Sequence, residues 1–199
     1  MLIFDFDGVL ADTLEIYAKV CRDVAKNLGH KQPLPANPFA DLDPVTFEEM
    51  GKKLGLNEEQ FAIEVARAVK GQTLMPRLFD DIPEVIATLS QKMPLAVLSA
   101  GNSTIVKAIL THHQIAHYFS FILGGDSDGS KTDKLKALKQ QYGEELVMIG
   151  DSASDIDAAN QAGLSSIAVT WGWQTESLLA TRNPTYVVHT PKQLLAAYC

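Results

Sequence analysis

Four aspartates are the residues best placed by type and spacing to do chemistry. Asp5 and Asp7 flank Phe6 in "LIFDFDG", directly after an apolar run. Asp151 and Asp155 follow a second apolar run in "VMIGDSASD". A carboxylate at the end of a buried strand is costly to desolvate unless something pairs with it. Two other apolar runs end in groups that could provide pairing or polar contacts. Ser99 follows one in "LSAGN", and the Gly-rich "GGDSDGSKTDK" after another leads to Lys131 and Lys134.

Carboxylates, a hydroxyl and a lysine on one edge suit phosphoryl transfer through an aspartyl-phosphate. Attack by a carboxylate on a phosphate dianion brings like charges together. A divalent cation held by several carboxylates would reduce that repulsion, and hard oxygen ligands favour Mg²⁺. A lysine supplies a compact positive charge for the phosphoryl oxygens. A hydroxyl and backbone N–H groups can hold the remaining oxygen. A second carboxylate two residues from the nucleophile can protonate the leaving group and then activate water.

These groups need a scaffold that brings them together. Apolar runs at Leu2–Phe4, Leu95–Leu98, Phe121–Leu123, Val147–Ile149, Ser166–Val169 and Tyr186–Val188 read as buried strands. Helical stripes lie between them, at Ile105, Val106, Ile109 and Leu110 and at Leu135, Leu138 and Tyr142, the latter closed by Gly143. The alternation predicts an α/β fold with a doubly wound parallel sheet. Ligands of such sheets bind outside the carboxyl ends of the strands, where all the groups above fall. The segment from Leu14 to Phe79 differs. Ile16, Tyr17, Val20, Val24 and Leu28 predict one amphipathic helix ending at Gly29, and two more follow a proline-marked loop. The reading is an α/β core of residues 1–14 and 80–199 with a helical cap, residues 15–79, inserted after the first strand. Hinges are expected near Thr13–Leu14 and Phe79–Ile82.

"DFDGVLADT", "LSAGN", the downstream lysine and "GDSASDIDAA" resemble, in order, the four motifs of the haloacid dehalogenase superfamily. "AVTWGW" and the short helical insertion are similar to its phosphoglycolate-phosphatase-like members. The resemblance implies a Rossmann-like core and a Mg²⁺-dependent phosphatase acting on a small phosphorylated metabolite, phosphoglycolate-like or a sugar phosphate. It implies Asp5 as nucleophile and Mg²⁺ ligand, and Asp7 as general acid/base with its backbone carbonyl on the metal. Ser99 would bind the phosphoryl group, with Gly8, Ala100, Gly101 and Asn102 around the substrate. Lys131 would neutralise Asp5 and the phosphoryl oxygens, with Lys134 as the alternative lysine. Asp151 and Asp155 would complete the metal site. A sugar phosphomutase shares both aspartates of the first motif and is the alternative activity; isomerisation of a hexose 1-phosphate without phosphate release would distinguish it. A phospho-aspartate receiver module is the non-enzymatic alternative. It would lack the long insertion and place its phosphorylated Asp later.

Composition bounds the partners. The 199 residues carry a formal net charge of −7, with 46% hydrophobic and 21% charged residues. That balance predicts no nucleic-acid partner and no anionic membrane surface. No apolar run approaches the ~20 residues of a membrane span. Cys21 and Cys199 share no metal-like spacing. A cytoplasmic monomer or weak dimer is expected.

Some features have blander readings. "SASD" is also a capping box opening a helix, so Asp155 can serve a helix end. "DSDGS" lacks the spacing of a calcium loop. His112, His113 and His117 lack a third ligand and read as helix-end residues. Trp171 and Trp173 border the site or pack under the cap. Lys52, Lys53 and Arg77 are the cations the insertion could bring to an anionic substrate.

Overall fold

The computed structural model describes residues 1–70 and 75–198. Its sheet has six parallel strands: β1 (Leu2–Phe4), β2 (Leu95–Leu98), β3 (Phe119–Leu123), β4 (Val147–Gly150), β5 (Ser165–Val169) and β6 (Tyr186–Val188). They run in the order β3-β2-β1-β4-β5-β6. The chain winds outward from β1 through β2 to β3, then returns to place β4 on the other side of β1. The strand order therefore reverses between β1 and β4, where a doubly wound sheet opens a crevice.

Helices cover both faces. Leu2 and Phe4 of β1 and Leu95 and Val97 of β2 point into one core layer with α4 (Ile82–Ser90), α5 (Ser103–His112) and α9 (Pro191–Tyr198). Ile3, Ala96, Leu98 and Met148 point the other way, against α6 (Lys131–Tyr142) and α7 (Ala153–Ala162). Alternation along each strand is what divides them. The short α8 (Glu176–Ala180) packs Leu179 on Ile156 and Ala168.

Between β1 and α4 the described chain is helical: α1 (Leu14–Asn27), α2 (Phe47–Lys53) and α3 (Glu58–Lys70). These helices share a separate apolar cluster built on Val20, Cys21, Val24, Phe39, Met50, Phe61 and Val65. The two connections to the core cross side by side. Ala11 bridges Leu78, Asp12 N–H donates to Arg77 O at 2.9 Å, and Phe79 N–H donates to Leu10 O at 3.1 Å. Arg77 also pairs with Asp12 at 2.8 Å, so it lies at this crossing.

Several details differ from the sequence reading, and β4 and β5 are each one residue longer than expected, reaching Gly150 and starting at Ser165. Strand β3 starts at Phe119 rather than Phe121, because a register shift beside β2 lets the chain enter the ladder earlier. Ile105 is 57% exposed and Tyr142 46% exposed, so each lies at the edge of its predicted stripe. A helix buries about a third of its circumference, and residues at the stripe's margin stay in water. The helices α4, α8 and α9 were absent from that reading. The last two span five and eight residues, too short for a clear helical period.

Candidate active site

β1 ends at Phe4, but its ladder runs one bond further: Asp5 N–H donates to Ile149 O of β4 at 2.9 Å. That bond fixes the Asp5 backbone at the sheet edge. The chain then turns. Phe6 O accepts from the N–H groups of Leu10 and Ala11, both at 3.0 Å, and Gly8 takes a left-handed φ of 76°. Asp7 thus reaches the same cavity as Asp5 from a turn rather than along a pleat. Asp151 follows β4, the neighbour of β1. A side chain on Gly8 or Gly172 would collide with the Asp151 carboxylate, so two glycines let the backbone close around it.

Lys131, the first residue of α6, closes the group. Its Nζ lies 3.3 Å from Asp5 Oδ1 and donates to Asp155 Oδ1. Asp155 Oδ2 accepts from Ser152 N–H at 3.2 Å and from Ser152 Oγ at 2.7 Å. The capping box at the start of α7 is real, and the same carboxylate holds the lysine. Asp151 Oδ2 accepts from Trp173 N–H at 2.7 Å. Every carboxylate here is therefore positioned by a backbone donor, a lysine or a tight turn.

One lysine faces four carboxylates, and the cluster carries excess negative charge. Burial raises Asp5 to about 7; Asp155 and Asp7 add to the rise, while Lys131 opposes it. Burial also raises Asp7 to about 6, against Thr13 and Lys131, and lifts Asp151 well above the carboxylate range. Burial alone would pull Lys131 down, but Asp155 and Asp5 outweigh it and hold the ammonium above its ordinary value. Carboxylate oxygens of Asp5, Asp151 and Asp155 lie within 4.8 Å of one another. An all-oxygen set with surplus negative charge fits a hard divalent cation such as Mg²⁺.

A stability test follows from these directions. Between pH 4 and pH 7 the unfolded chain has already ionised carboxyls that the folded chain keeps protonated. The native state then binds more protons, so stability falls as pH rises through that window. Without metal, Tm should be higher at pH 5 than at pH 7.5. Saturating Mg²⁺ at pH 7.5 should restore about 2–3 kcal/mol at 100 times its Kd. Thermal melts in chelator and in Mg²⁺ measure both; a metal-free Tm that rises from pH 5 to pH 7.5 contradicts the assignment.

The carboxylates open into a cavity of about 320 Å³. Asp5, Asp7, Lys131 and Asp151 form its floor with Ala100 and Gly101. Its walls include Tyr17, Phe39, Phe47 and Trp173. Trp173 stacks on Phe39 with centroids 4.6 Å apart and leans on Tyr17 at 5.2 Å. It both packs under the helical insertion and borders the site. The insertion's loop is tied down nearby: Asn37 Nδ2 donates to Trp173 O at 2.7 Å, and Thr175 N–H donates to Ala40 O at 2.9 Å.

The other predicted residues lie close by but vary in access. Ser99 is buried beneath the floor, its Oγ accepting from Gly101 N–H at 2.9 Å. Asn102 Oδ1 caps α5, accepting from Thr104 N–H at 3.0 Å, and is not among the cavity-lining residues. Lys134 turns away and donates to Gly124 O at 2.8 Å. Lys52 pairs with Glu49 at 3.1 Å. Neither it nor Lys53 nor Arg77 lines the cavity. The walls from Val45 to Glu48 escaped the sequence reading. Their only signal was an apolar-polar mixture after "NPFADLDP", which resembles any loop entering a helix.

The chain is similar to known proteins along nearly its whole length. Residues 2–169 match the family described as haloacid dehalogenase-like hydrolase. A phosphoglycolate phosphatase of Synechococcus elongatus is 29% identical over 203 residues, covering 98% of this chain and 95% of that protein. The tyrosine-protein kinase PtkA of Mycobacterium tuberculosis is 30% identical over 202 residues, covering 95% of this chain and 68% of that protein. A solved haloacid dehalogenase-like protein from Streptococcus pneumoniae superposes with a TM-score of 0.86 at 25% identity, covering 100% of this chain and 97% of that chain. Among the described residues no helix is long and apolar enough to cross a membrane. The chain belongs to the haloacid dehalogenase-like hydrolases, as a phosphoglycolate-phosphatase-like enzyme that acts on phosphoester bonds.

Proposed function

We propose that this enzyme hydrolyses a small phosphomonoester through a phosphate ester of Asp5, with residues 15–79 acting as a cap over the cavity. The observation that carries this reading is the placement of Lys131 against Asp5 and Asp155, with Asp7 opening into the same cavity. An Asp5 oxygen attacks phosphorus, and the bond from phosphorus to the leaving oxygen breaks. Asp7, raised to about 6, keeps a protonated fraction near neutrality and gives its proton to that oxygen. It then takes a proton from water as the water oxygen attacks phosphorus and the bond to Asp5 breaks. Lys131 holds a fixed positive charge beside the phosphoryl oxygens throughout. Ala100 and Gly101 line the cavity beside Lys131, with the Gly101 N–H held by Ser99 Oγ beneath.

Asp5, Asp151 and Asp155, with the Asp7 carbonyl, are the residues that would hold Mg²⁺. When bound there, the cation supplies charge that offsets the repulsion between carboxylate and phosphate. Asp155 is the outer member, since both its oxygens already accept protein hydrogen bonds.

Trapping the ester tests the reading. Acid quench during turnover, followed by borohydride reduction, should convert Asp5 alone to homoserine. Peptide mass spectrometry reads the change. Labelling at another carboxylate, or none during active turnover, overturns Asp5 as nucleophile.

A further inference from the structure

The cavity above the carboxylates has a composition that bears on what leaves the phosphorus. Tyr17, Phe39, Val45, Phe47 and Trp173 give it an apolar, largely aromatic wall. Glu48 adds a carboxylate at the exposed side. Among the described residues Lys131 is the only Lys, Arg or His that lines the cavity. It is already engaged by Asp5 and Asp155 on the floor. Residues 71–74 and 199, outside the described set, contain no Lys, Arg or His. Of the insertion's cations, Arg22 pairs with Glu15, Lys52 with Glu49 and Arg77 with Asp12, while Lys53 has no ion pair among the described residues and does not line the cavity.

A carboxylate on the leaving group would meet no cation in this wall. It would lose water against aromatic rings and face Glu48, and both effects oppose binding. The Thr46 and Ser152 hydroxyls are engaged, whereas Trp173 Nε1 in the same wall has no partner among the described residues. Thr46 Oγ1 accepts from Glu49 N–H at 3.2 Å, and Ser152 Oγ donates to Asp155 Oδ2 at 2.7 Å while meeting Ser154 Oγ at 2.8 Å. An aromatic group suits the wall, since rings pair edge-on or offset with rings at these separations. Tyr17 and Phe47, with centroids 6.1 Å apart, already form such a pair.

We infer that the leaving group is an uncharged aromatic or arylalkyl alcohol rather than a hydroxy acid. The inference rests on the phosphatase reading above and narrows its substrate class. It also separates this chain from what the names of its phosphoglycolate phosphatase relatives say of those proteins.

Benzyl phosphate and phosphoglycolate form a matched pair, because they differ only by phenyl or carboxylate on the same methylene. With Mg²⁺, kcat/KM should favour benzyl phosphate by about tenfold or more, the effect of burying part of a ring. Glu48→Lys, at an exposed position, should raise kcat/KM for phosphoglycolate about tenfold and narrow the gap. Phe47→Ala should narrow it from the other side by weakening benzyl phosphate. A wild-type preference for phosphoglycolate or glucose 6-phosphate overturns the inference and leaves the phosphatase reading intact. No Mg²⁺-dependent turnover of any of the three esters overturns the phosphatase reading and this inference with it.

Discussion

Asp5→Asn should lower kcat for phosphoester hydrolysis by about 10⁴-fold or more, the scale of losing a catalytic nucleophile, while making the metal-free protein more stable. The two effects have separate causes. An amide oxygen has no ionised form with which to attack phosphorus, so the ester cannot form. The same change removes a buried carboxyl that burial and the neighbouring carboxylates push up to about 7. Lys131 keeps Asp155 as its partner, so no cation is stranded. Relief of about 1 kcal/mol corresponds to a rise in Tm of about 2–4 °C for a chain of this size. Mg²⁺ should then stabilise the variant less than it stabilises the wild type. Steady-state kinetics and thermal melts in chelator read the two arms. Loss of activity together with a lower Tm would point to damaged structure instead of a missing nucleophile.

Lys131→Met should harm both activity and folding. Removing the one cation that faces the transferring group should cost about 10²–10³-fold in kcat, as loss of a preorganised electrostatic donor does. The variant also leaves Asp5 and Asp155 buried without their counter-charge. Breaking a buried pair from one side costs about 3–5 kcal/mol, or roughly 10 °C in Tm. Lys134→Met is the control. It gives up a hydrogen bond to Gly124 O, worth about 1 kcal/mol, and should leave kcat near the wild-type value. If Lys134→Met abolished turnover while Lys131→Met did not, the roles of the two lysines would be reversed.

Those lysines show where the sequence stops being decisive. Both lie in the first turn of α6, three residues apart, after the same Gly-rich loop. A long side chain spans that distance, so spacing cannot choose between them. Which of them meets the carboxylates is set where α6 packs on α7, which brings Asp155 to Lys131, while Lys134 is turned toward its own loop. Asp155 is similar. "SASD" was legible as a capping box and as part of a metal site, and in the fold one oxygen caps while the other holds the lysine.

By itself, the sequence determined the sheet and the floor of the site. Apolar runs of strand length, most of them ended by a carboxylate, a hydroxyl or a glycine-rich turn, admit few arrangements once the strands must be parallel and buried. Asp5 and Asp151 needed only that their strands be neighbours, and Asp7 needed the turn at Gly8 as well. The walls were decided by tertiary structure alone. Whether Phe47 or Lys52 faces the cavity depends on how the insertion sits over the core. That placement is set by contacts between residues far apart in the chain, Asn37 with Trp173 and Gln174 with Leu42 among them. Local periodicity records which side of a helix is apolar, but not which apolar side meets another element and which lines a cavity. The floor of the cavity was therefore written in strand ends, and its walls in a packing that no short stretch encodes.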